Sequence, residues 1–61
     1  MNVELEEGKI YKVKIEHLLP GNRGLTKIDG FPIYINNVNK KEEVKIKIVK
    51  IAKTYAQAEK I

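Results

Sequence analysis

The sequence predicts a small all-β protein, five short antiparallel strands closed into a barrel. Apolar and polar residues alternate with period two through residues 11–15 and again through 44–48. An Asp29-Gly30 step joins two further apolar/polar runs and reads as a hairpin turn. The expected content is short strands with no long helix. Closure would remove exposed sheet edges, which a short isoleucine-rich chain needs to avoid aggregation.

Residues 1–7 read as a loosely attached acidic arm, with Glu4, Glu6 and Glu7 and no cation. The barrel is expected over residues 8–61. Gly8 opens the first strand, in which Tyr11, Val13 and Ile15 face the core and Lys12, Lys14 and Glu16 face water. Leu18 and Leu19 end that run. Pro20-Gly21-Asn22-Arg23-Gly24 follows as a turn-rich loop, where glycine and asparagine accept a left-handed backbone. Residues 25–29 and 33–35 form the central hairpin. Pro32 has no amide donor, so it must face an unpaired edge or a bulge. Residues 36–41 form a polar connection with too few apolar side chains for a core element.

The last third fits two templates. Val44, Ile46 and Ile48 alternate as in a strand, whereas Val44, Ile48, Ile51, Tyr55 and Ala58 also fit helical spacing. The β-branched residues of 44–51 favour a strand, and the change of phase between Ile48 and Val49 suits a β-bulge. The expected order is strand, a turn at 52–54, then strand. The expected interior is Val13, Ile15, Leu25, Ile28, Ile33, Ile35, Val44, Ile46, Ile48, Ala56 and Ala58. Leu25 and Ile28 differ in parity, so not all of these can point inward.

Sixty-one residues make one domain with one small core. A chain of this size buries roughly 60% of its unfolded surface. With no cysteine and a single histidine, His17, neither a disulfide nor a protein-only zinc site is expected. No apolar run approaches the roughly 18 residues of a membrane span, and the N-terminus lacks a signal-peptide pattern, so a soluble cytoplasmic protein is expected; a monomer is the expected state. The net charge is +4, and all 12 lysines and arginines lie from Lys9 onward against five acids, so the body carries +7. That field suits a polyanion such as a nucleic acid.

The stretch Gly24-Leu-Thr-Lys-Ile-Asp-Gly-Phe-Pro-Ile-Tyr-Ile35 resembles the Gly-apolar-x-basic-apolar-x-Gly-Phe-x-x-aromatic-apolar run of the TRAM domain, a small OB-like β-barrel. Glu43-Val-Lys-Ile-Lys-Ile48 is similar to that family's closing charged strand, and Tyr55-Ala-Gln-Ala-Glu59 to its terminal strand. The resemblance covers about residues 8–60. The family often has glycine where Asn22, Asn37 and Lys41 stand. Asparagine can replace glycine at a left-handed turn position. Lysine does so less easily, so the turn before the fourth strand is expected to differ. The resemblance implies binding of tRNA or of structured and single-stranded RNA. For a free-standing member it implies an RNA chaperone of cold-shock type, working without ATP.

Period two places Tyr34 opposite in phase to Ile33 and Ile35, as an exposed platform on which bases can stack or as a cross-strand surface packer. Phe31 is either a core plug or a second exposed ring. Tyr55 points outward with Gln57 if the last segment is a strand. Arg23, the only arginine, sits in the loop beside the hairpin and can take phosphate bidentately or stack on a base. Lys27, Lys47, Lys50 and Lys53 can track a phosphate backbone, and each is otherwise a solvated face residue. His17 can pair with a base or phosphate, or is a plain surface histidine. Glu42 and Glu43 are adjacent and point to opposite faces, a poor acid/base pair. No phosphate-cradling glycine motif and no nucleophile beside a base is present, so neither an enzyme nor a bound cofactor is expected. Two alternatives stand beside RNA binding: a small duplex-DNA-binding protein of chromatin type, and a protein-interaction adaptor. The first usually needs an apolar wedge between base steps, and the chain has no tryptophan.

Overall fold

The computed structural model describes residues 5–61. Strands β1 (Ile10–Lys14), β2 (His17–Leu19), β3 (Arg23–Ile28), β4 (Phe31–Asn36), β5 (Glu43–Ile51) and β6 (Ala56–Lys60) form one sheet in the order β1-β5-β6-β4-β3-β2. No helix occurs among the described residues. The last third is therefore strand, turn and strand. The Ala52 amide closes that turn on the Tyr55 carbonyl at 2.8 Å.

The strand count is six rather than five, and one pairing, β4 with β6, is parallel. The extra strand arises at a corner. The Ile15 amide still bonds Glu42 O beyond the end of β5, at 3.0 Å, while the next amide, Glu16, bonds Leu25 O on β3 at 3.0 Å. The chain changes partner there, so β1 and β2 are two halves of one bent segment. They are also the two ends of the sheet. Their covalent link curls the sheet round its core. Thr26, buried on β3, bridges this seam by donating its hydroxyl to Lys14 O at 2.7 Å. The bond gives a buried hydroxyl the partner it needs.

The core is Val13, Ile15, Ile33, Ile35, Val38, Val44, Ile46, Ile48, Ala56 and Ala58. Alternation along β4 and β5 builds most of it, with inward isoleucines and outward Tyr34, Lys45 and Lys47. The ladder between β5 and β6 shifts between Ile48 and Lys50, leaving Val49 as the extra residue of a bulge. Without it, regular alternation would turn Lys50 inward and Ile51 outward. With it, Lys50 is exposed and Ile51 packs against the core. Pro32 lies opposite Lys27 on β3, while β6 pairs with β4 only from Ile33, so the missing amide falls beyond the end of that ladder.

Three expected interior positions need correction. Leu25 shares the outward face with Tyr34, its cross-strand partner, because the inward positions of β3 go to Gly24 and Thr26. Ile28 and Tyr11 are only partly buried and pack at the core's margin. Val38, expected in a polar connection, is buried at 2% exposure. It enters the barrel over Gly24, where an added Cβ would stand 3.0 Å from Ile15 Cγ2 and 3.1 Å from Val38 Cγ1. Gly24 is thus a packing glycine, and Gly24→Ala is expected to cost about 1–3 kcal/mol through overpacking. Urea denaturation measures this, and an unchanged midpoint would remove Val38 from its role as plug.

The turns follow their chemistry. Asp29 (φ 51°) and Gly30 (φ 81°) both take the left-handed backbone of a two-residue hairpin loop. Asn22 (φ 56°) and Asn37 (φ 62°) do likewise, as asparagine permits. Lys41 is not among the residues of positive φ.

Residues 1–4 of the acidic arm lie outside the described residues. Of the remainder, Leu5 packs partly against the core and Glu7 Oε2 accepts the Ile51 amide at 3.1 Å. The Gly8 amide bonds Ile48 O at 2.7 Å, and Ile48 N bonds Lys9 O at 3.0 Å, so the pairing of β1 with β5 continues ahead of Ile10.

Candidate nucleic-acid interface

The outward faces of β3, β4 and β6 meet in one shallow cleft of about 270 Å³, lined by Arg23, Tyr34, Asn36, Tyr55 and Gln57. Strand register explains the grouping. Arg23 pairs with Asn36 across β3 and β4. Tyr34 pairs with Gln57 across β4 and β6. Each of these residues alternates with a buried neighbour, Gly24, Ile35 or Ala56, so its side chain faces away from the core.

Tyr34 and Tyr55 touch edge to face, with ring centroids 5.8 Å apart and planes at 79°. Tyr34 is 38% exposed and Tyr55 half-buried. Such a pair fixes both rings while leaving ring faces that the partner does not cover. A flat apolar ligand can therefore stack without first ordering mobile side chains. Arg23, expected in the loop, is the first residue of β3 and remains exposed. Its Nε donates to Pro20 O at 3.4 Å, a long bond that steadies the guanidinium over the preceding turn. The ion pairs of the described residues are Lys12–Glu43 at 3.2 Å and Lys60–Glu42 at 3.4 Å, and Arg23 belongs to neither.

The remaining residues singled out in the sequence fall around this cleft or away from it. Lys50 is the cross-strand partner of Gln57, brought to the outer face by the bulge. Lys53 is exposed in the turn that precedes Tyr55. Lys47 is exposed on β5, opposite Glu59. Lys27 lies on the outward face of β3 at the end of the hairpin away from Arg23. Phe31 is half-buried at the hairpin turn, opposite Ile28, and packs against the core. Asn36 and Gln57 were not singled out, although their phase with Tyr34 and Tyr55 was readable. They bring uncharged donors and acceptors to the cleft wall.

The cleft combines aromatic faces, amides and a guanidinium, and among the described residues no carboxylate lines it, Glu59 standing next to it as the cross-strand partner of Asn36. Among the described residues, no group of three or more His, Asp or Glu side chains is placed to hold a metal ion. The arrangement suits a planar ligand bearing negative charge.

Comparison with known proteins agrees in extent and fold. The TRAM domain model matches residues 4–61. An uncharacterized protein of Methanocaldococcus jannaschii is 37% identical over 60 residues, covering 98% of this chain and 78% of its own length. The translation initiation factor 2 subunit beta of Methanothrix thermoacetophila is 40% identical over 55 residues, but this chain spans only 26% of it. An uncharacterized RNA methyltransferase of Lactiplantibacillus plantarum is 32% identical over 56 residues, 12% of its length. The solution structure of a conserved protein of Methanococcus maripaludis superposes with a TM-score of 0.85 at 35% identity, over 98% of this chain and 86% of that one. With a family match over nearly its whole length, the chain belongs to the TRAM domain family.

Proposed function

We propose that this protein binds RNA, stacking unpaired bases in the Tyr34–Tyr55 cleft while Arg23, Lys50 and Lys53 meet the adjoining phosphates. The observation that carries the reading is the tyrosine pair itself, one ring on β4 and one just ahead of β6, held at 5.8 Å beside an arginine. Every base has a π-face, so such a platform is tolerant of sequence, and each stacked base contributes roughly 1–3 kcal/mol. The relatives named as an RNA methyltransferase and as an initiation factor subunit support an RNA ligand. By holding bases that would otherwise pair, the protein acts as an ATP-independent RNA chaperone on tRNA or single-stranded segments.

Fluorescence anisotropy with single-stranded RNA, the equivalent single-stranded DNA and duplex DNA tests this at about 50 and 200 mM salt. Single-stranded RNA is expected to bind most tightly and to keep a salt-resistant part of its affinity from stacking. Preference for duplex DNA would favour the chromatin-type alternative. Absence of binding at the lower salt would turn the search to protein partners.

A further inference from the structure

We propose that the RNA strand held at the tyrosine cleft continues across the sheet to a second cleft, where Lys14, His17 and Lys41 hold its backbone phosphate. This inference rests on the RNA-binding reading above and extends the path of the ligand.

The second cleft lies at the corner between β1 and β2. It measures about 490 Å³ and is lined by Lys14, Ile15, Glu16, His17 and Lys41. Two lysines and a histidine face a single carboxylate, so its balance is cationic. Neighbouring carboxylates do not cancel it. Glu43 is the cross-strand partner of Lys14, yet its carboxylate goes to Lys12 at 3.2 Å. Glu42 pairs with Lys60 at 3.4 Å. The amides of Ile15 and Glu16 are already committed to the carbonyls of Glu42 and Leu25. Those two amides are thus not available to an anion, which leaves the side chains of Lys14, His17 and Lys41 to meet it.

Strand register links the two clefts. His17 pairs with Leu25, Leu25 with Tyr34, Tyr34 with Gln57, and Gln57 with Lys50. These residues form one outward row at right angles to the strands. At about 4.8 Å per strand, His17 stands two steps, roughly 10 Å, from Tyr34. At a stacked repeat of about 3.4 Å, about three internucleotide steps separate the clefts, so a strand with a base on Tyr34 needs about four nucleotides to reach His17. Between the clefts the row presents Leu25, half-buried and uncharged, over which a base can lie flat. Read from β5 to β2, the row presents a lysine, an amide, an aromatic ring, an apolar side chain and a histidine.

The test compares labelled U3 and U8 RNA, by anisotropy, on the full chain and on His17→Ala combined with Lys41→Ala. Both side chains are exposed, so the fold should persist, and Lys14→Gln with Lys41→Gln repeats the test without truncation to alanine. U3 fits within the tyrosine cleft, and its Kd is expected to stay within about twofold. U8 reaches both clefts, and its Kd is expected to rise roughly fivefold, with a salt slope shallower by about one. Equal loss for both lengths, or no loss for either, would overturn the proposal. Tyr34→Ala with Tyr55→Ala separates the two readings. If it weakens both RNAs while the His17 and Lys41 variant changes neither, the second cleft fails and the first stands. If it weakens neither, the tyrosine site itself fails.

Discussion

Tyr34→Ala combined with Tyr55→Ala is expected to weaken single-stranded RNA binding by at least 30-fold. Each ring supports roughly 1–3 kcal/mol of base stacking, and about 1.4 kcal/mol is tenfold in affinity. The same change loses the edge-to-face contact at 5.8 Å, worth about 0.5–1.5 kcal/mol to the fold. Thermal melting must therefore accompany the anisotropy titration. Tyr34→Phe with Tyr55→Phe keeps both ring faces and is expected to retain most of the affinity. Binding that survives the alanine pair in a folded protein would leave charge alone as the source of affinity.

Ile46→Ala is expected to remove most of the protein's stability. Ile46 is fully buried at the middle of β5, between β1 and β6, opposite Tyr11 and Lys60. Truncating a buried isoleucine costs about 2–5 kcal/mol. At roughly 0.05–0.15 kcal/mol per residue, a chain of this length holds only about 3–9 kcal/mol in total. A fall in Tm of about 10 °C or more is expected by circular dichroism. Val49→Ala, at the exposed residue of the bulge, is expected to stay within about 0.5 kcal/mol of the parent. Equal effects at the two positions would contradict the strand phase assigned to β5.

That phase was legible because it is written in local pattern. Alternating β-branched residues marked β5, the phase slip marked its bulge, and Asp29-Gly30 marked the hairpin. β2 was not legible, because His17-Leu18-Leu19 shows no alternation and owes its strand character to a bend that only the barrel explains. Val38 was missed for a similar reason. One apolar residue among asparagines and lysines has no periodic neighbours, and its burial depends on the space left by Gly24. Leu25 was placed inward because hydrophobicity outweighed parity, whereas Thr26 takes the inward position by hydrogen-bonding Lys14 O. At the candidate site, the outward direction of Tyr34 and Tyr55 followed from period two. Their contact did not, since it depends on the parallel pairing of β4 with β6, a long-range choice without a local signal.

Ring NMR resonances of the three tyrosines, followed while U8 RNA is titrated into the protein, test the central claim most directly. Stacked bases shift the rings they cover. The signals of Tyr34 and Tyr55 are expected to move together and saturate with the anisotropy titration. Those of Tyr11, whose ring lies beneath Lys9 at the core's margin, are expected to stay in place. Tyrosine rings unmoved at saturating RNA, with shifts confined to the lysine-bearing faces, would contradict stacking as the basis of binding.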